Sequence, residues 1–152
     1  MLDRIDRRLL VLLQRDASLS VAALGDAVGL SSTPCWKRVK RLEDEGFIER
    51  RVALVNRERV GLPVTVFVSI RTNQHDQAWL DAFARATAGL PEIVELYRMS
   101  GDVDYLMKVV VADIEGYDRF YKKLIAAVKL TDVSSAFAME QIKYSTEMPL
   151  PE

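Results

Sequence analysis

Residues 20–48 constrain the fold more than any other stretch, because they read as two helices joined by a tight turn. Ser20 suits the N-cap of the first helix, since its hydroxyl can accept a bond from a backbone N–H in the first turn. Gly29 follows the last residue of that helix and suits a left-handed stop. The spacing therefore predicts a short helix, a glycine turn and a second helix.

The second helix is expected to be capped by Ser31 or Ser32, with Pro34 in its first turn, and to end near Glu45. Its apolar residues recur at i, i+4 and i+7 and predict a narrow buried stripe of Cys35, Val39 and Leu42. The basic residues Lys37, Arg38, Lys40 and Arg41 lie mostly off that stripe. Such a helix suits insertion into the DNA major groove, although basic amphipathic helices are also common as solvated faces.

Charge is distributed unevenly along the 152 residues, whose total is −1. Residues 1–60 contain 12 Lys/Arg and 9 Asp/Glu, a net of +3, and the remainder contains 9 and 13, a net of −4. The basic part holds the predicted DNA reader, and the acidic part suits another role. The single cysteine, Cys35, favours a buried structural thiol in a reducing cytoplasm. Because no signal peptide or long apolar run is present, a cytoplasmic protein is expected.

The N-terminal region is predicted to form a three-helix domain at 1–50, followed by a linker at 51–63. Residues 3–15 have the period of an amphipathic helix that Asp3 can cap. Its shared core is expected to contain Ile5, Leu9, Leu12, Leu24, Val28, Val39 and Leu42. Residues 47–55 look extended and suggest a wing in which Arg50 and Arg51 reach DNA phosphates. Arg57 and Arg59 fit either a DNA contact or a solvated linker.

Residues 64–152 alternate between strand and helix patterns. The predicted order is a strand at 64–72, a helix at 75–88, a hairpin of strands at 92–100 and 103–111, a helix from Asp113 to Val128, and a strand at 134–146. The inward residues of the two helices are expected to be Trp79, Leu80, Phe83 and Ala84, and then Ile114, Tyr117, Tyr121, Leu124 and Val128. This β-α-β-β-α-β order predicts an α+β, ferredoxin-like domain with helices on one face of the sheet.

The other face of this sheet needs a partner, so a homodimer is expected. Phe67, Tyr97 and Phe137 are the candidates for that face.

Three segments in this order resemble the Lrp/AsnC (feast/famine) family of transcription regulators. They are LDRIDRRLLVLLQRD at 2–16, GLSSTPCWKRVKRLEDEGFI at 29–48 and SGDVDYLMKV at 100–109, with MEQIK at 139–143 near the end. The resemblance implies a winged helix–turn–helix domain joined to a ferredoxin-like effector domain. It also implies regulation of amino-acid metabolism by a homodimer that assembles further into tetramers or octamers.

Carried over by position, the resemblance implies that the DNA contacts are made by Ser32, Thr33, Trp36, Lys37, Arg38 and Arg41. Packing against the first helix or the wing fits Trp36 at least as well. Arg38→Ala is accordingly expected to weaken DNA binding without changing the melting temperature.

The resemblance likewise implies an effector site built from Met99, Ser100, Gly101, Asp102, Val103, Asp104, Tyr105, Ser134, Ser135 and Ala136. An apolar amino acid such as leucine or methionine is the expected effector, since Gly101 lets N–H groups approach a carboxylate and Asp102 or Asp104 can meet an ammonium. A tight turn also demands Gly-Asp, so either role fits Asp102. Many members of the family carry Pro-Gly-Val before the last strand, whereas this chain has Val128-Lys129-Leu130.

Two other functions fit less of the sequence. An architectural DNA-binding protein without an effector would retain the same hairpin. Some relatives of this fold are tetrapyrrole decarboxylases, but His75 is the single histidine here and suits a surface or capping position. No metal-ligand cluster, nucleophile motif or phosphate loop is apparent in the sequence, so we expect no catalysis, no cofactor and no metal.

Overall fold

The computed structural model describes residues 1–74 and 76–151, which form two compact units. The N-terminal unit contains residues 1–54 together with the chain from Ile142 onward, and the C-terminal unit spans Val55–Gln141. The sequence assigned the final segment to the C-terminal domain, so the observed division differs there. The prediction for His75 lies outside the described residues. No helix in the described part of the chain is long and apolar enough to span a membrane.

Three helices build the N-terminal unit: α1 (Arg4–Arg15), α2 (Val21–Val28) and α3 (Ser32–Asp44). Asp3 caps α1 by accepting a bond from the backbone N–H of Asp6, and Ser20 caps α2 through Ala23. Gly29 ends α2 with φ of 73°, a conformation that glycine adopts without a Cβ clash. The predicted caps and the glycine stop are confirmed. Ser31 is the N-cap of α3, but its side chain makes no capping bond.

The core of the N-terminal unit lies where α1, α2 and α3 meet. Its buried apolar residues are Leu9, Leu10, Leu24, Cys35, Val39 and Leu42, with Ile5, Leu12 and Val28 partly buried around them. The predicted stripe of α3 is therefore confirmed, since all three of its members are buried. Burial also raises the pKa of the Cys35 thiol, which agrees with a packing role for that side chain.

The predicted strand of a wing at residues 47–55 is absent from the described structure. A strand needs a neighbour to complete its hydrogen-bond ladder, and no described residue pairs with this segment. Arg51 instead donates to Glu43 near the end of α3, at 3.0 Å. Arg50 is exposed.

The C-terminal unit has the predicted β-α-β-β-α-β order: β1 (Val64–Arg71), α4 (Gln77–Ala88), β2 (Ile93–Arg98), β3 (Tyr105–Val111), α5 (Ile114–Ala127) and β4 (Asp132–Phe137). The strands pair antiparallel in the order β2-β3-β1-β4. This is the ferredoxin-like arrangement that the sequence predicts.

The helices cover one face of this sheet, as expected. Val66, Val68 and Ile70 of β1 point into the core formed with α4 and α5. Two of the predicted inward residues are wrong: Ala84 is exposed, and Ile114 is 72% exposed in the first turn of α5. Thr87 and Phe120 occupy the buried positions that the sequence analysis did not list.

The last strand is shorter than predicted, because β4 ends at Phe137 instead of continuing to residue 146. Ala138 donates to the carbonyl of Thr65, near the start of β1, so the neighbouring strand offers little more backbone to pair with. The chain then joins the N-terminal unit, where Thr146 donates to the Gln14 carbonyl and Leu150 packs against the core.

The uncovered side of the sheet, which we call the open face, carries Phe67 and Tyr97 as predicted. Both side chains are exposed, and they alternate with residues that point toward the helices. The prediction for Phe137 is wrong. Phe137 pairs with Val66, whose side chain faces the helices, and its ring contacts Tyr117 of α5 with centroids 5.2 Å apart.

Candidate DNA interface and effector site

The first half of α3 presents polar and aromatic side chains to solvent. Ser32, Thr33 and Lys37 are exposed, and Trp36 is 53% exposed. The helical period places Thr33 and Lys37 opposite the buried stripe and Trp36 at its flank, whereas Ser32 is exposed in the first turn. The helix thus displays hydroxyl, indole and ammonium groups together at its N-terminal end.

Arg38 and Arg41 have a different environment, since both bind carboxylates of α1 and its cap. Arg38 Nη1 lies 2.5 Å from Asp3 Oδ2 and 2.8 Å from Asp6 Oδ1. Arg41 Nη2 lies 2.5 Å from Asp6 Oδ2. We call these four residues the arginine–aspartate cluster. It joins α3 to α1 through charged groups, and the positive charge of both arginines is balanced there.

Asp6 is the centre of this cluster and its side chain is 1% exposed. Burial acts to raise the pKa of Asp6, but hydrogen bonds from Arg41, from the backbone of Asp3 and from Arg38 outweigh it and lower the pKa to about 2. The carboxylate is therefore ionised at neutral pH and bound on both oxygens. The backbone N–H of Asp3 also donates to it, at 3.1 Å, which completes a capping box.

Asp6 did not stand out in the sequence analysis, which assigned only Asp3 to a cap. The sequence did contain a signal for this contact, namely an acidic residue on the buried side of a helix. Such a residue is rarely buried unless a cation pairs with it. Asp6 precedes the apolar run by three residues, so it lies on the same side of α1 as Leu9 and Leu10.

The rest of the predicted basic surface is also partly paired. Lys40 binds Asp44 one turn later at 2.7 Å. Arg57 donates to the hydroxyl of Thr65 within the C-terminal unit, and Arg59 is exposed.

The predicted effector loop is the tip of the β2–β3 hairpin. Gly101 has φ of 120°, and Met99 donates to the carbonyl of Asp104 across the turn at 2.8 Å. The carboxylate of Asp104 accepts a bond from the backbone N–H of Thr72 at 2.8 Å, and its own N–H donates to Ile70. Asp104 therefore fastens the hairpin tip to the end of β1.

Tyr105 belongs to the core of the C-terminal unit and is not an exposed loop residue. Its ring lies 4.6 Å from Phe83 and 5.9 Å from Trp79, measured between centroids. It contributes one wall of a groove of about 510 Å³ between α4 and β2, which Arg98 also lines. Of the ten predicted effector residues, Tyr105 alone lines this groove.

The predicted residues on β4 divide between the two faces of the sheet. Ser135 is on the helix side, where it hydrogen-bonds to the hydroxyl of Tyr117. Burial raises the pKa of Tyr117, and the bond to Ser135 opposes this effect. Ser134 and Ala136 alternate with Ser135 and are on the open face. The predicted effector residues are thus divided among the hairpin loop, one core position and the two faces of the sheet.

In the described part of the chain, no group of three or more His, Cys, Asp or Glu side chains is placed to bind a metal ion.

Comparison with known proteins gives a family match over both units. Residues 2–43 match the AsnC-type helix-turn-helix domain, and residues 65–148 match the Lrp/AsnC ligand binding domain. The chain is 52% identical over 151 residues to the DNA-binding transcriptional activator DecR of Escherichia coli K12, with 99% of each chain covered.

Two solved structures have the same fold over almost the whole chain. An AsnC family transcriptional regulator from Agrobacterium tumefaciens superposes with a TM-score of 0.94 at 57% identity, covering 97% of both chains. A transcriptional regulator from Neisseria meningitidis, solved as a complex with L-Met, gives a TM-score of 0.93 at 29% identity, covering 98% of this chain and 97% of that one. The chain therefore belongs to the Lrp/AsnC family of transcriptional regulators.

Proposed function

We propose that this regulator reads DNA with the N-terminal half of α3 and controls genes of amino-acid metabolism in response to an amino acid. The observation that carries the DNA part is the set of exposed side chains at the N-terminal end of α3, where Thr33 and Lys37 lie opposite the buried stripe. Ser32 and Thr33 are placed at the helix N-terminus, where backbone N–H groups and hydroxyls can bind phosphate. Lys37 and Trp36 follow on the adjoining turn and can contact the backbone or a base edge.

Lys37 is expected to contribute more of the DNA-binding energy than either arginine. It is exposed, whereas the Arg38 side chain is 30% exposed and bound to two carboxylates. A DNA phosphate gains less from a cation whose charge is already balanced. Arg38 and Arg41 therefore serve two roles in our proposal: they hold α3 against α1, and their remaining donors face the duplex. Arg38→Ala should then lower the melting temperature, unlike the expectation from sequence.

We infer that an apolar amino acid, for which methionine and leucine are the first candidates, binds near the hairpin tip. Support comes from the match to the ligand-binding domain model and from the L-Met complex of the Neisseria regulator. In this chain Gly101 and Asp102 are exposed at the tip, and Asp104 holds the tip in place. Because the predicted residues form no single concave surface, we propose that a second protomer completes the site.

The second protomer is expected to bind at the open face of the sheet. Phe67 and Tyr97 are exposed there, and β3 places partly buried Leu106 beside Tyr97 and partly buried Lys108 beside Phe67. The ammonium group of Lys108 is paired with Glu95 at 2.8 Å. An exposed patch of aromatic and aliphatic groups favours a homodimer, and dimers of this kind suit palindromic DNA sites. Further assembly to tetramers or octamers, and a location in the cytoplasm, are part of the same proposal.

The test is DNA-binding anisotropy with the segment upstream of the protein's own gene, with and without each common amino acid. Lys37→Ala should weaken binding at least tenfold and make it less salt-dependent, because a phosphate contact is lost. Lys122→Ala in the C-terminal unit is the matched control, since Lys122 is an exposed helical lysine paired with Asp118. Equal effects of the two variants would contradict the proposed reader.

The effector part is tested separately by adding amino acids to the wild-type complex. We expect methionine or leucine to shift the affinity and to raise the melting temperature of the free protein, since a ligand of the native state stabilises it. Sequence-preferring binding that no amino acid changes would instead support a DNA-organising protein without an effector.

A further inference from the structure

Asp3 occupies the exposed side of the arginine–aspartate cluster. It is half exposed, while Asp6 on the other side of Arg38 is buried. Both carboxylates bind the same nitrogen of Arg38, Nη1, at 2.5 Å and 2.8 Å. An anion that approaches Arg38 from solvent at this nitrogen therefore meets Asp3 first.

A carboxylate and a phosphate bind the guanidinium group in the same way, through charge-assisted bonds to its N–H donors. A DNA phosphate and Asp3 consequently compete for one donor of Arg38. A phosphate does not displace Asp6 from Arg38 in the same way, because the buried carboxylate of Asp6 would then lose a charged partner. A phosphate can therefore displace the exposed carboxylate of Asp3 from Arg38 at a lower free-energy cost than the buried carboxylate of Asp6.

We propose that Asp3 is an internal competitor of DNA phosphate that reduces the affinity of α3 for DNA of arbitrary sequence. This inference rests on the proposal that α3 binds DNA. Non-specific binding is governed by phosphate contacts, so a carboxylate that occupies one arginine donor lowers this background affinity. A specific site can offset the loss through its base contacts, which leaves the ratio of specific to non-specific binding higher.

Asp3 can be replaced without removing its structural role. It caps α1 by accepting a bond from the backbone N–H of Asp6 at 2.8 Å. Asparagine and serine both supply an oxygen acceptor at an N-cap, so Asp3→Asn and Asp3→Ser should retain the helix start. Neither side chain carries the negative charge, and serine is too short to span the distance that aspartate covers to Arg38.

The experiment measures the affinity of each variant for a random-sequence DNA duplex between 50 and 200 mM salt. For each protomer that contacts the duplex, we expect one more phosphate contact, which steepens the salt slope by about 0.9. The gain in affinity over the wild type should therefore grow about threefold for each contacting protomer between 200 and 50 mM salt. Asp26→Asn is the matched control, because it removes an exposed charge of α2 whose side chain makes no contact with the cluster.

A second background separates direct competition from a change in net charge. In an Arg38→Gln background, Asp3→Asn should give no more gain than Asp26→Asn, because the contested donor is gone. An unchanged salt slope in Asp3→Asn and Asp3→Ser, or weaker binding by both, would overturn the inference while leaving the DNA-binding proposal intact. If the wild type binds no duplex at any salt concentration, both proposals are overturned.

Discussion

In the C-terminal unit α5 is fixed by buried aromatic and aliphatic side chains, whereas in the N-terminal unit α3 is fixed partly by ion pairs. Among the described residues, the buried core of the C-terminal unit contains fourteen apolar residues, and that of the N-terminal unit contains six. A six-residue core has little area with which to orient a helix. The arginine–aspartate cluster adds a directional contact between α1 and α3.

This difference matters for function because the two helices have different tasks. In our proposal the outer side of α3 meets DNA and must stay polar, so apolar packing can extend over one narrow stripe only. Charged groups at the edge of that stripe can hold the helix and still present donors to a phosphate. A helix that only supports a sheet, such as α5, has no such restriction and can bury its larger side chains.

The largest expected effect is the loss of packing in the C-terminal unit. Phe120 is completely buried on α5, and Phe120→Ala should lower the free energy of unfolding of this unit by about 3–5 kcal/mol. Urea unfolding monitored by the fluorescence of Trp79, which is buried in the same core, measures the loss. The control is Ile114→Ala on the same helix, since Ile114 is exposed. Similar losses for both variants would show that burial on α5 does not govern its stability.

The second prediction concerns pH and the ion pairs of α3. The pKa of Asp6 is lowered from 3.8 to about 2, so its ionised form stabilises the folded N-terminal unit. That stabilisation is complete above pH 4 or so and is lost as the pH falls toward 2, which amounts to roughly 2 kcal/mol. Trp36 fluorescence in a Trp79→Phe background reports unfolding of this unit alone.

Asp6→Asn is the control for the pH dependence. This variant should be less stable at neutral pH and should lose much less stability between pH 4 and 2. Asp3, Asp16 and Glu147 also have lowered pKa values. Bonds from the Asp6 backbone and Arg38 lower the pKa of Asp3, bonds from Ser18 lower that of Asp16, and the bond from Arg15 lowers that of Glu147. They account for the pH dependence that remains in the variant. If Asp6→Asn showed the same pH dependence of stability as the wild type, Asp6 would contribute nothing measurable to the stability of the N-terminal unit.

The elements of both units could be predicted from the sequence because their signals are local. The helix period, the caps Asp3 and Ser20 and the stop at Gly29 each depend on residues within one or two turns. The alternation of β1 is equally local: Val66, Val68 and Ile70 fall on one face of the strand, and the structure packs that face against the helices. Three ordered motifs then identified the family.

The errors arose where the outcome depends on distant partners. Phe137 faces the helices because β4 pairs in register with β1, and this register cannot be read from β4 itself. β4 ends where β1 offers no further backbone groups for pairing, and the last residues of the chain pack in the N-terminal unit. Asp6 and Arg41 are 35 positions apart, so periodicity on either helix could not reveal their contact. Tyr105 follows the glycine loop in sequence, but its ring belongs to the aromatic core.

The smallest effect is expected at Asp104, where the C-terminal unit also uses a carboxylate. Asp104 accepts the backbone N–H of Thr72 at 2.8 Å, as Asp6 accepts donors in the other unit, but it is only partly buried. Asp104→Ala should therefore cost about 1 kcal/mol and should speed hydrogen exchange of the Thr72 N–H. Asp104→Asn retains an acceptor and should cost less, and Asp102→Ala at the exposed tip should leave that exchange rate unchanged.

These three variants separate hydrogen bonding from charge at the hairpin. If Asp104→Asn is as damaging as Asp104→Ala, the negative charge itself is needed, and the carboxylates of the two units then act alike despite their different burial. If only alanine is damaging, the bond to Thr72 positions the loop without any need for charge. In that case the negative charge of Asp104 is not needed to hold the loop, and we propose that it serves the ammonium group of an effector amino acid while one of its oxygens accepts from Thr72.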